Sequence, residues 1–233
     1  MPVAPRSGIV EAMRMTPVDI RVTVSFLAVS FLAAGVLGAV QPVTRIPLEV
    51  IQLTQFGPAL GVGVAAMLWP RRVRALLTDG LPGRGGRGAL LIVTAPLIIA
   101  VSAGAYAAIS GDARFTRPDA PFVLIAAAQL IGACGEEIGW RCLLQPLLHP
   151  RFGPLAASMA VGMAWGVWHV QIFAQHPVYA GAFLMAAVSM SVVMGWALEG
   201  GRTSRLLLAG GFHALGPLRK LNPGARGHSV QQQ

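Results

Sequence analysis

The feature that most constrains this chain is a run of uncharged residues long enough to cross a bilayer. Val22 to Val40 gives 19 residues without a charge, and a helix needs about 20 apolar residues to cross a hydrocarbon core about 30 Å thick. A secretory leader would have a shorter apolar core and a small-residue cleavage site, so the run reads as a first membrane helix. It is not alone. Ala89–Ser110, Leu155–Phe173 and Val178–Leu198 repeat the pattern, as do Leu48–Pro70, with Glu49 at its edge, and Pro121–Leu148, which carries Glu136, Glu137 and Arg141. Leu206–Pro217 is apolar but short, which fits a half-span or a helix packed inside a bundle. Charged residues make up only 12% of the chain and mean hydropathy is +0.63, outside the range of an ordinary soluble domain. The expected fold is an all-α polytopic transmembrane bundle of six full spans plus a short seventh.

The organisation follows. Residues 1–21 form a polar N-terminal segment, 22–217 the transmembrane domain, and 218–233 a polar tail. Gly57-Pro58 predicts a kink inside the second span. Residues 71–87 read as a basic loop, carrying Arg71, Arg72, Arg74, Arg84 and Arg87. The net charge of +9 does not point to nucleic acid, because these arginines have no aromatic residues among them. Basic residues between spans set orientation instead, which puts this loop and the N-terminus in the cytoplasm. Cys134 and Cys142 fall on one helix, where a disulfide is not geometrically plausible. They read as small apolar fillers, and Trp140 and Trp168 as interface or packing aromatics.

Against this background "LIGACGEEIGWRCLLQPLL" is unexpected. The chain has nine acidic residues in all, and two stand side by side inside an apolar run. An ionised side chain within a span costs about 2.5–3.5 kcal/mol on insertion scales. Glu137 has a local partner: Arg141 lies four residues on, in the favourable acid-before-base order. Glu136 points about 100° away around the helix and has none. One glutamate reads as structural, the other as available.

Depth counting adds two histidines. Glu136 precedes the turn at His149 by 13 residues, roughly 20 Å of helix. His169 lies 16 residues beyond Gly153, roughly 24 Å up the next span, and His213 lies 12 beyond Gly201, roughly 18 Å. A carboxylate and two imidazoles are thus expected at one level, with Trp165, one turn before His169, walling the cavity. A carboxylate can take a proton from water while imidazoles orient that water, stabilise a developing oxyanion or hold a metal. The glycines nearby (Gly132, Gly135, Gly139, Gly166, Gly210, Gly211) permit close helix packing.

These motifs carry a resemblance. "EEIGWR" resembles the EExxxR motif of the CAAX-protease and bacteriocin-processing (CPBP, Abi-like) family of intramembrane metalloproteases. "WGVWH" is similar to its second motif, an aromatic residue four before a histidine, and "HALGP" stands in the place of its third. "FGPALG", from Phe56, is similar to an upstream segment of the family. The order and spacing match across residues 121–217. The resemblance implies an endopeptidase with Glu136, His169 and His213 as catalytic residues, supported by Glu137, Arg141 and Trp165. It also implies a divalent metal such as zinc on Glu136, His169 and His213, or a glutamate and histidines acting on water without one. The implied substrate is a peptide or a membrane-attached protein segment, and the expected location is a bacterial plasma membrane. Pro217 departs from the third motif, which has Asn there. That departure supports an alternative, a catalytically impaired member acting as a binding or immunity protein. A proton-coupled transporter using Glu136 as relay is a third reading; the lack of two matched halves counts against it.

Overall fold

The computed structural model describes residues 15–48, 50–78, 121–199 and 205–215, with six isolated positions between 88 and 108. Most of the expected third span, the tail and Pro217 lie outside these residues. Every regular element among the described residues is helical. They are α1 (Pro17–Thr44), α2 (Gly57–Leu68), α3 (Pro70–Thr78), α4 (Phe122–Gly139), α5 (Gln145–Trp168), α6 (Pro177–Ala197) and α7 (Arg205–Leu215). Tight turns at Leu53–Phe56 and Val170–Ala174 precede α2 and follow α5, and a wide π turn, Trp140–Leu144, joins α4 to α5.

The first helix starts earlier than its uncharged run. Thr16 and Asp19 form a reciprocal capping box with Pro17 just inside the helix, which satisfies end groups that lipid cannot. Its other end turns at Arg45, φ 57°. The expected second span is shorter than its apolar run. Gln41 in α1 accepts from the Leu53 N–H at 2.6 Å and donates to the Ile46 and Ile51 carbonyls, holding residues 46–48 and 50–52 out of the helix. Gly57-Pro58 therefore opens α2 instead of kinking it, as the missing proline N–H allows. The first part of the expected basic loop is also helical. In α3, Val73 and Leu76 are buried while Arg71 and Arg74 are exposed, the pattern of an amphipathic surface helix.

Three runs among the described residues are long and apolar enough to cross a membrane: Pro17–Thr44, Val123–Trp168 and Pro177–Ala197. The second, 46 residues long, is not straight. Trp165 Nε1 donates to Glu136 Oε2 at 2.7 Å, yet 29 residues of unbroken helix would separate them by roughly 43 Å. The chain folds back at Gly153, φ 75°, followed by Pro154, and the expected fourth and fifth segments become antiparallel neighbours. The six-plus-one count is not reproduced, because this pair counts once, Leu53–Leu68 is short, and the third expected span is largely outside the described residues.

The core lies where these arms meet α1 and α2. Phe26 packs edge-on against Trp140 (5.4 Å between centroids), and Trp140 against Trp168 (6.0 Å). All five residues of the π turn are buried, so the helix is enclosed on every side there. Trp140 and Trp168 are buried in this core, Trp168 also bordering a cavity beside His169, and both cysteines are free.

Candidate active site

Glycines bring the site's walls together. A Cβ on Gly139 would fall 2.7 Å from both Phe26 and Pro58, and one on Gly135 would fall 3.1 Å from the Gln55 carbonyl oxygen. Helix α4 therefore seats directly on α1 and the turn before α2. On its other side, Gly210 of α7 meets Cys134. Close approach of this kind is what small residues give membrane helices, where no hydrophobic force drives association.

Glu136 and Glu137 stand at the end of α4, just before the π turn. They are 2% and 0% exposed. Glu137 and Arg141 pair at 3.0 Å (Oε2 to Nε) with neither side chain exposed, the i,i+4 contact that the spacing predicts. The rest of the network joins separate elements. Arg141 donates to Ser191 Oγ of α6 at 2.7 Å, and Ser191 donates to the Ser158 carbonyl of α5. Glu137 Oε1 is 2.8 Å from His213 Nδ1 on α7. Glu137 is therefore tied to two partners, and through them to three other elements.

Glu136 has a different setting. Its Oε2 accepts from Trp165 and lies 3.9 Å from His213 Nε2. Trp165 packs edge-on against both imidazoles, 5.1 Å from His169 and 5.2 Å from His213. His169 does not sit within the helix. It lies at the break after α5, with Nδ1 2.9 Å from the Trp165 carbonyl. A carbonyl or carboxylate can only accept, so Nδ1 donates in both rings and Nε2 is the acceptor of the neutral form. Glu136, Trp165, His169 and His213 all line one cavity of about 620 Å³. A second cavity of about 280 Å³, between α1 and the end of α5, also reaches Glu136 and His169.

The structure thus brings Glu136, Trp165, His169 and His213 to one cavity and places Glu137 and Arg141 behind it. Sequence reasoning missed three contacts: the Trp165 hydrogen bond to Glu136, the Glu137–His213 pair, and Gln55, whose buried side chain lines both cavities. A signal for Gln55 was present. A glutamine beside an apolar span raises the same question of cost as the paired glutamates.

The metal expected on Glu136, His169 and His213 is not supported by their arrangement. No three His, Cys, Asp or Glu side chains among the described residues group closely enough to hold an ion. His213 Nε2 lies 3.9 Å from Glu136 Oε2, while His169 packs against Trp165 with Nδ1 on the Trp165 carbonyl.

The fold and site define a helical integral membrane protein with a buried acid–imidazole centre on a cavity. Residues 118–217 match the family model described as Type II CAAX prenyl endopeptidase Rce1-like. The chain is also 30% identical over 105 residues to CAAX prenyl protease 2 of Methanococcus maripaludis, covering 40% of this chain and 38% of that protein. Both findings support the CPBP/CAAX-protease resemblance carried by the motifs. The matched segment contains all of Glu136, Glu137, Arg141, Trp165, His169 and His213.

Proposed function

We propose that the protein is an intramembrane endopeptidase in which Glu136 activates water. The observation that carries this reading is Glu136 itself: a buried carboxylate, oriented by the Trp165 N–H at 2.7 Å and faced by His213 at 3.9 Å, on a cavity wall.

A water between Glu136 and the imidazole Nε2 atoms gives one proton to the carboxylate and attacks the scissile carbonyl carbon as its C–O bond forms. The carbonyl π electrons move to oxygen. When the tetrahedral intermediate collapses, the C–N bond breaks and Glu136 returns the proton to the leaving amine, so the enzyme ends as it began. Glu137 holds His213 in the tautomer that turns Nε2 toward Glu136, and Arg141 offsets the Glu137 charge. The substrate is a peptide or a membrane-attached protein segment. The name of the archaeal relative makes a prenylated CAAX peptide the first probe.

The test is cleavage by detergent-purified protein of quenched-fluorescent peptides, prenylated and plain, with products identified by mass spectrometry. Wild type should cleave and Glu136→Ala should not. Equal cleavage by both, or none by wild type on any peptide, would remove the assignment. Metal content is measured alongside: a stoichiometric ion, lost in His213→Ala, would replace this mechanism with a metal-centred one.

A further inference from the structure

Amide hydrolysis puts negative charge on the carbonyl oxygen, and a preorganised donor aimed at that charge is often the largest single catalytic contribution. The side chains already placed are committed elsewhere. Trp165 donates to Glu136, His213 Nδ1 to Glu137, and His169 Nδ1 to a carbonyl. Gln55 differs from them. It lies in the turn Leu53–Phe56 and is 6% exposed, although the cavities on either side are both lined by it.

Its orientation is built by its neighbours. The Gln52 N–H donates to Gln55 Oε1 at 3.4 Å, which assigns the oxygen end of the amide and leaves the nitrogen as donor. Nε2 donates no hydrogen bond among the described residues. The amide occupies the space beside Gly132, where a Cβ would overlap Oε1 and fall 2.8 Å from Cδ and 3.2 Å from Nε2. Gly132 is one turn before Glu136 on the same face of α4, about 6 Å away along the axis. The amide is thus held about one helical turn from the water-activating carboxylate, on a wall of both cavities that reach it.

We propose that Gln55 is a further catalytic residue, whose Nε2–H donates to the scissile carbonyl oxygen and to the oxyanion formed from it. This rests on the endopeptidase reading and adds the group that polarises the bond Glu136 attacks. It also explains the glycine at 132, since a methyl there would push the amide out of place.

The experiment compares steady-state cleavage by wild type, Gln55→Met and Gly132→Ala, with Gly63→Ala as control because a Cβ at Gly63 meets nothing within 4 Å. Gln55→Met should lower kcat by about 10²–10³-fold with KM changed less than about threefold. Gly132→Ala should lower kcat in the same direction with every polar group intact, and Gly63→Ala should match wild type. A kcat unchanged in Gln55→Met, or a rise in KM alone, overturns the proposal while leaving Glu136 in place. Should Gln55→Met lose its fold, Gln55→Glu decides by the same criteria, since it keeps the oxygen that Gln52 requires and removes both N–H groups. Absence of cleavage by wild type ends both readings.

Discussion

Two ion pairs in this protein use the same chemistry in opposite settings. Asp19 and Arg72 meet at 2.7 Å where α3 touches the start of α1, and the Arg72 side chain is 40% exposed. Glu137 and Arg141 meet at 3.0 Å with no exposure. The first pair joins residues 53 apart and fastens a surface helix. The second is made within one helical turn, yet it organises the interior, because a buried charge must have every partner that the fold can supply. Without Arg72, Asp19, whose side chain is 7% exposed, still accepts from the Thr16 N–H and hydroxyl. Nothing replaces a lost partner at Arg141. Distance alone does not rank such pairs; the surroundings do.

Substitutions can break or sharpen the contrast. Arg141→Met leaves Glu137 charged and buried, and should cost about 3–5 kcal/mol, read as a fall in the thermal midpoint in detergent. Glu137→Gln combined with Arg141→Met should recover part of that loss, and no recovery would show that packing, not charge, dominates. Glu136→Gln should lower peptide cleavage by about 10²–10⁴-fold while the thermal midpoint stays near wild type, since the side-chain oxygen can still accept from Trp165. An equal fall in midpoint for the Glu136 and Arg141 variants would erase the division between available and structural glutamates. Gly139→Ala tests the seating of α4 and should cost about 1–3 kcal/mol through overlap with Phe26 and Pro58. Arg72→Ala should cost no more than about 1 kcal/mol and lose even that in high salt; a loss as large as that of Arg141→Met would refute the comparison.

Much of the site was legible before folding. Glu137 and Arg141 are four residues apart, so their contact is a property of any helix drawn through them. Depth counting brought Glu136 level with the histidine-bearing segments because rise per residue is fixed and the turn at Gly153-Pro154 was visible. What escaped was angular and long-range. His169 was expected inside a helix and lies at its end. Residues 71–78 were expected as loop and fold as a helix, because Val73 and Leu76 find a core. Leu48 and residues 50–52 were expected within a span, but they precede α2, where Gln41 bonds the Ile51 carbonyl and the Leu53 N–H.

The sequence by itself determined that the chain is helical, membrane-embedded, and obliged to shelter two acids, since lipid supplies no hydrogen bonds and each charge there needs a reason. Only the tertiary structure decided that Glu137 holds His213, that Trp165 orients Glu136, and that Gln55 reaches the same cavity. Those contacts join residues 29 to 81 positions apart or converge on one cavity from separate elements. Periodicity fixes which face a side chain takes on its own helix; which neighbour meets that face is set by how the helices dock.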